Sequence, residues 1–334
     1  MKTILAYDNT RISAYKDCPR LFYFRHIRHW RRDGIEWPLV FGSSWHAAMD
    51  YVWRKLLVER EPGPIKHELI ARGAYKEFIK QWIEEGAPPP EQIDYEMQQE
   101  ISPRTPVHAL EMLLGYVHAK AKLLDDMELI STEQAFAVPI DAKKDIFYIG
   151  KIDKKIRLKS SGRVRGIEHK TTTAYRKGGP FRGAYIDSFS PNSQVDGYLF
   201  ALHMLYPGKV DGIWVDASLV HKHEEGFMFI PVDKQLKMLD AWLWETRNWV
   251  QKIEKDKKKL EDSVDGSDPY MQAFPRNTNS CWNFNRQCAY YNMCRAWPNP
   301  HGREMPEDMV EEKWDPLKEL GPIEGLPADV KDRA

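Results

Sequence analysis

Phe147-Tyr148-Ile149-Gly150-Lys151-Ile152-Asp153-Lys154-Lys155-Ile156-Arg157-Leu158, a turn at Lys159-Ser160-Ser161-Gly162, and the return Arg163-Val164-Arg165-Gly166-Ile167-Glu168-His169-Lys170 decide the fold. Turn formers link two runs of strand-forming residues, so the segment reads as two strands of a hairpin. Upstream, Glu133 to Ile140 reads as another strand. Downstream, Gln194 to Tyr206 has a helical pattern, and Val210 to Leu219 and Phe227 to Val232 read as strands. Lys234 to Leu260 reads as a long helix with Trp242, Trp249 and Ile253 on or near one face. This order predicts an α/β (α+β) fold, a mixed central sheet flanked by helices, over residues 132–262.

The region before this core, 43–131, is expected to be helical. Gly42-Ser43-Ser44 opens a helix with Trp45, Met49, Val52, Trp53 and Leu56 at spacings of three and four. Helical patterns continue over 66–84 and 106–130, with Gly86-Ala87-Pro88-Pro89-Pro90 and a polar stretch between them as loop. Around these lie a basic segment, 1–42, a cysteine-rich segment, 263–300, and an acidic tail, 301–334. The cysteine-rich segment is full of turn residues and is expected to be held by a metal rather than by a core of its own.

The chain balances 49 basic against 49 acidic residues, but unevenly. From Lys151 to Lys177 ten Lys or Arg residues surround only two acids, Asp153 and Glu168. A basic field around a small acidic centre suits a polyanionic substrate cleaved with a divalent metal. No stretch approaches the roughly 18–20 apolar residues that cross a bilayer, so no membrane role is expected. Met1 to Asp8 carries an acid too early for a signal peptide, which points to the cytoplasm. There is no Gly-x4-Gly-Lys-Ser/Thr run, so no P-loop ATPase is expected in this chain.

Residues two apart on a strand share a face, so Glu168 and Lys170 point together and the His169 side chain points away. Carboxylates from adjacent strands, Asp153 and Glu168, can then meet on one Mg²⁺ or Mn²⁺. Lys170 beside them can orient a water or stabilise charge developing on a phosphate. His46, on the first core helix, can complete the site as an imidazole ligand. Gln194 and Tyr198 are four apart on a helix and share a face. Arg20, Arg25 and their neighbours interleave cations with aromatics through Leu21–Arg32, a composition that suits strand binding.

Cys18 stands alone, and Cys281-x6-Cys288-x5-Cys294 lie together far downstream. In a reducing compartment such a set points to metal rather than to disulfides. Four thiolates alone fit zinc as well as iron–sulfur; the chain lacks the Cys-x2–4-Cys knuckles of structural zinc, and wider gaps suit a bulkier cluster.

His46, Gly150-x2-Asp153, Glu168-x-Lys170 and Gln194-x3-Tyr198, with one cysteine before and three after, resemble the PD-(D/E)XK nuclease superfamily. In particular the set is similar to its RecB-like iron–sulfur branch, which holds the CRISPR-associated iron–sulfur exonucleases and the AddB-type nuclease domains. The resemblance implies a restriction-endonuclease-like core with a helical insertion and an iron–sulfur-stapled C-terminal segment. It implies that His46, Asp153 and Glu168, with the His169 carbonyl, bind Mn²⁺ or Mg²⁺, and that Asp153, Glu168 and Lys170 are catalytic. Gln194 and Tyr198 would help hold DNA, and Cys18, Cys281, Cys288 and Cys294 would ligate a 4Fe–4S cluster. The implied activity is a DNA exonuclease of recombination, repair or end processing. It would act from single-stranded ends, with 5′ to 3′ polarity, alone or beside a separate helicase or recombination protein. Two alternatives remain from the sequence: a DNA-end-binding adaptor with little cleavage, and an endonuclease for flaps or branched DNA.

Overall fold

The computed structural model describes residues 5–59, 64–263, 267–283, 286–315 and 321–326. Its first elements are β1 (Leu5–Tyr7), α1 (Asn9–Asp17), α2 (Pro19–Phe22), a π-helical turn (Tyr23–Ile27) and β2 (Trp30–Arg32). Next come α3 (Trp37–Leu57), α4 (Pro64–Glu84), α5 (Tyr95–Ile101), α6 (Pro106–Lys120), β3 (Met127–Asp141), β4 (Ile146–Leu158) and β5 (Val164–Thr172). They are followed by α7 (Gly183–Asp187), α8 (Ser193–Leu205), β6 (Val210–Leu219), β7 (Phe227–Val232) and α9 (Leu236–Glu261). Last are β8 (Trp282–Asn283), β9 (Arg286–Gln287), α10 (Tyr291–Ala296), β10 (Met309–Glu311) and β11 (Ile323–Glu324). The expected α/β class with a mixed sheet is what the chain adopts. Among the described residues no helix is long and apolar enough to cross a membrane.

The chain forms two compact units. One is built from 35–134 and 151–235, the other from the described parts of 1–34, 135–150 and 236–334. The strands β3 and β4 contribute residues to both.

In the first unit, β4 pairs antiparallel with β5, β5 parallel with β6, and β6 antiparallel with β7. The parallel step requires a crossover, which α7 and α8 supply. At Gly166 on β5 a Cβ would meet Leu202 Cδ1 of α8 at 3.0 Å and Ile213 Cγ1 at 3.1 Å, so a larger residue would have to push those side chains back by a few tenths of an ångström. The core is the apolar stripe of α3 (Phe41, Trp45, Met49, Val52, Trp53) packed with Phe78 and Trp82 of α4 and Met112 and Leu113 of α6. Trp45 and Trp53 are fully buried, and truncating such a side chain costs about 3–5 kcal/mol.

In the second unit, β1 runs parallel to the start of β4, and β11 runs parallel to β3 at Ala135 and Phe136. The strand β10 pairs antiparallel with β2. Hence part of the acidic tail is ordered as strand; residues 316–320 and 327–334 of it lie outside the described residues.

Four local expectations are corrected. The first core helix begins at Trp37, not at Gly42, because Pro38 sits in its first turn, where a missing N–H costs nothing. The sixth helix stops at Lys120, and 121–126 are turns leading into β3, not helix up to 130. Asp126 there accepts from Ser160 N at 2.9 Å, tying the turn to the β4–β5 loop. The polar stretch read as loop contains α5, started by Asp94, whose carboxylate accepts from Met97 N at 2.8 Å. Finally, the cysteine-rich segment does bury apolar side chains. Phe274 is fully buried against the rings of Tyr15, Phe22 and Tyr23.

Candidate active site and metal centre

The β4–β5 register pairs Lys154 with Ile167, and its next step sets Asp153 across from Glu168. Both carboxylates are buried. His46 Nδ1 on α3 lies 3.2 Å from Asp153 Oδ1, and the His169 main-chain N–H donates to Asp153 Oδ2 at 2.7 Å. Glu168 Oε1 accepts from Lys170 Nζ at 2.7 Å and from Gln194 Nε2 at 3.1 Å. Gln194 also donates to the Tyr198 hydroxyl at 3.1 Å. The start of α8 is fixed by Asn192, whose carboxamide oxygen accepts from Gln194 N and Val195 N at 3.1 and 3.2 Å. That cap aims Gln194 at the site. So His46 meets Asp153, while Lys170 and Gln194 gather on Glu168 with Tyr198 behind Gln194.

The second oxygen of Glu168, Oε2, is buried with no hydrogen-bond partner. A buried carboxylate oxygen left unpaired is costly unless something else satisfies it, and a divalent cation does. Among the described residues the donor atoms of His46, Glu133 and Asp153 all lie within 4.8 Å of one another, and Glu168 stands beside that group rather than in it. An oxygen-rich set with one imidazole fits a hard divalent cation such as Mg²⁺ or Mn²⁺.

Glu133 was not visible in the sequence. It lies on β3 with φ +48°, a left-handed conformation that a non-glycine residue adopts at a cost. Lys151 Nζ holds its Oε2 at 2.7 Å. By pattern alone it is one more polar residue of a strand, and no local signal would have found it.

The His169 imidazole points away from the cation site, as the strand period required. Its Nδ1 lies 3.0 Å from Asp216 Oδ2 on β6. Asp216 Oδ1 lies 2.7 Å from Lys120 Nζ, and its Oδ2 accepts from the Tyr116 hydroxyl. The Trp53 indole N–H donates to that hydroxyl at 2.9 Å. This buried network braces β5 from behind; of it only His169 and, as a core residue, Trp53 stood out in the sequence.

The charges follow from these neighbours. Burial works against ionisation of Asp153, but His46 beside it holds the carboxyl well below the usual range. Burial also opposes charge on His46, and the Asp153 carboxylate overcomes it, so the imidazole is raised. Glu168 is pushed up to about 7 by burial and by the Asp153 charge, with Lys170 pulling the other way. Despite burial, Lys170 is raised by Glu168 and stays charged.

A ligating carboxylate must give up its proton, so cation affinity is expected to fall about tenfold per pH unit below 7. The metal-free protein behaves oppositely. Because the folded-state value of Glu168 lies above its usual 4.5, its contribution to stability is present at low pH and is lost as pH rises through 7. Melting curves with and without Mn²⁺ at pH 6 and pH 8 check both signs. The Mn²⁺-induced rise in Tm should be larger at pH 8, and an equal rise at both pH values would refute the assignment of Glu168.

The four cysteines are free thiols, Cys18 buried and the others half-buried. Each of Cys288 and Cys294 feels Cys18 and one further cysteine as a negative neighbour. Burial, assisted by those neighbours, pushes Cys294 up to about 11, against the pull of Arg20 and Arg276. Cys18 Sγ accepts from Asn277 N at 3.3 Å, and Cys288 N donates to Cys281 O at 2.9 Å. Among the described residues no three of these sulfurs lie within 4.8 Å of one another. Cys288 and Cys294 are nonetheless close enough to Cys18 for their charges to interact.

Arg20 is not available to a strand. It is 3% exposed, and its Nε donates to the Phe274 carbonyl at 3.0 Å. Its guanidinium faces Cys18 and Cys294. Arg25, by contrast, lines a cavity in the same unit.

A mixed sheet carrying a half-buried histidine–carboxylate cluster and a nearby lysine suits metal-dependent hydrolysis. Residues 9–295 match the family model of the PD-(D/E)XK nuclease superfamily, and the chain belongs to that superfamily. It is by that membership a metal-dependent nuclease, a phosphodiester hydrolase. Among solved structures it is similar to a Eubacterium rectale protein named as an exonuclease. The identity is 12% over 75% of this chain and 80% of that one, with a TM-score of 0.43, too remote to carry an argument. No curated protein matches the chain.

Proposed function

We propose that this nuclease is a DNA exonuclease of the RecB-like iron–sulfur branch, acting on single-stranded ends in recombination, repair or end processing. The observation that carries the reading is Glu168. One oxygen is held by Lys170 and Gln194, and the other is buried and unpartnered across the register from Asp153. A binding module has no use for that arrangement, whereas phosphodiester hydrolysis needs it. A bound Mn²⁺ or Mg²⁺ would lower the pKa of a water and neutralise charge on the phosphate oxygens. His46, Asp153 and Glu168 would hold it with Glu133, and the His169 carbonyl is the further donor proposed. Lys170 stands ready to stabilise developing negative charge, and Gln194 keeps Glu168 and Tyr198 in register with each other. Cys18, Cys281, Cys288 and Cys294 would ligate a 4Fe–4S cluster, whose bulk suits their wide spacing in sequence, with Arg20 as a buried countercharge.

The test is cleavage of end-labelled single-stranded DNA by anaerobically purified protein with Mn²⁺. Cutting is expected with Mn²⁺ and lost with EDTA, and mononucleotides or short fragments released progressively from one end would establish the exonuclease. The label position reads the polarity, which the resemblance gives as 5′ to 3′. DNA that is bound and left intact with Mn²⁺ would sink the reading and favour an end-binding adaptor. Fragments cut internally from a closed circle would make it an endonuclease.

A further inference from the structure

A cavity of about 230 Å³ opens between the start of α1, the π-helical turn and the segment after β10. All of its lining belongs to the second unit and none of it to the metal centre. Three guanidinium groups line it, those of Arg11, Arg25 and Arg31. The two lining carboxylates are already committed. Asp8 Oδ1 caps α1 by accepting from Arg11 N at 2.7 Å, and Glu312 pairs with Arg31 at 2.7 Å.

What remains is a set of donors without acceptors. Arg11 spends its two terminal nitrogens on the carbonyls of Ala6 and Trp314, and its Nε is buried without a partner. His26 Nε2 is likewise buried and unpartnered. Among the described residues Arg25 has neither a hydrogen bond nor an ion pair; the Asp8 carboxylate feels its charge, but Asp8 is turned to the α1 backbone. The local backbone is unusual at the same place. Arg25 and His26 lie on the π-helical turn, closed by Arg28 N donating to Tyr23 O at 2.9 Å, and His29 follows with φ +56°. π-turns and left-handed non-glycine residues are rare and concentrate where a fold is shaped for a ligand. Burial and the surrounding arginines hold His26 down at about 3, so its ring adds no positive charge of its own.

We propose that this cavity binds a phosphate group of a nucleic-acid strand. A phosphate offers several acceptor oxygens at once, which is what Arg25, the Arg11 Nε and the His26 ring jointly lack. The Trp314 ring, already beneath the Arg11 guanidinium at 5.4 Å, adds an aromatic wall for the attached nucleotide. The proposal rests on the nuclease reading, since that reading is what supplies a nucleic-acid strand.

The experiment is fluorescence anisotropy of a 12-nucleotide single strand, labelled at its 3′ end, with the full chain in EDTA. Two forms are used, one 5′-phosphorylated and one with a 5′-hydroxyl. Arg25→Gln should weaken binding about tenfold and reduce the salt slope by about one phosphate contact. Arg25→Lys, which keeps the charge and loses the fork, should fall between. Loss confined to the phosphorylated strand identifies a terminal phosphate, and equal loss for both strands an internal one; either supports the site. Native affinity and slope in Arg25→Gln overturn the cavity alone. Native protein that binds neither strand overturns the nuclease reading with it.

Discussion

Lys170→Ala is expected to slow strand cleavage about a thousandfold while leaving DNA bound. The Lys170 ammonium sits 2.7 Å from Glu168 Oε1, on the same face of β5 as that carboxylate. Its charge is secured by that carboxylate, so it presents a fixed cation where phosphate charge grows. Binding should survive, because one cation among the ten from Lys151 to Lys177 contributes little to a strand's total affinity. A second effect must be separated from the first. Lys170 holds the Glu168 carboxyl down, so its removal favours the protonated acid and weakens the cation site. The variant should therefore need more Mn²⁺. Single-turnover rates across an Mn²⁺ titration separate the two effects: the loss at saturating Mn²⁺ reports the lysine itself. A saturating rate within threefold of native would remove Lys170 from the chemistry.

The residues that make this prediction were legible because their relation is local. Glu168 and Lys170 are two apart on a strand, and Gln194 and Tyr198 are four apart on a helix, so periodicity alone puts each pair on one face. Asp153 needed only the hairpin. Glu133 needed the path of β3 and a left-handed φ at the residue itself, neither of which any neighbour in sequence announces. Lys120 and Asp216 are invisible for a related reason. Alone, each reads as a surface charge, and only the packing of α6 against the sheet makes them partners, 96 positions apart in the chain. Arg20 failed in the opposite direction. Its basic, aromatic setting looked like a nucleic-acid surface, whereas the aromatics around it, Phe22, Tyr23 and Phe274, build a core that takes the guanidinium inside. Likewise the turn-rich 263–300 segment hid Phe274, since one ring in a run of prolines and polar residues has no periodicity to betray it.

Asp216→Ala is expected to be the most destabilising change outside the apolar core, by about 3–5 kcal/mol, or about 10 °C in Tm. Asp216 has no exposed surface, and it answers three groups at once: Lys120, Tyr116 and His169. Burial alone would raise its carboxyl, yet Lys120 and His169 hold it below the usual range, so the network keeps a negative charge there. Removing that charge strands the Lys120 ammonium, also buried, with the Phe229 and Tyr116 rings at 3.3 and 5.7 Å but no carboxylate against it. The cost is mainly that of an unpaired buried cation, which makes the prediction specific. Asp216→Asn should be nearly as harmful as alanine, because it keeps the shape and loses the charge. Adding Lys120→Met to Asp216→Asn should recover at least half of the loss, since no lone charge then remains. Urea melts of the two single variants and the double variant measure that coupling, and strictly additive losses would refute it. The effect should also reach the cation. Asp216 fixes the His169 ring, and the His169 main-chain N–H is what holds Asp153 Oδ2. Even the partly rescued double variant should then bind Mn²⁺ about tenfold more weakly than the native chain, as loss of an outer support of a metal ligand typically does.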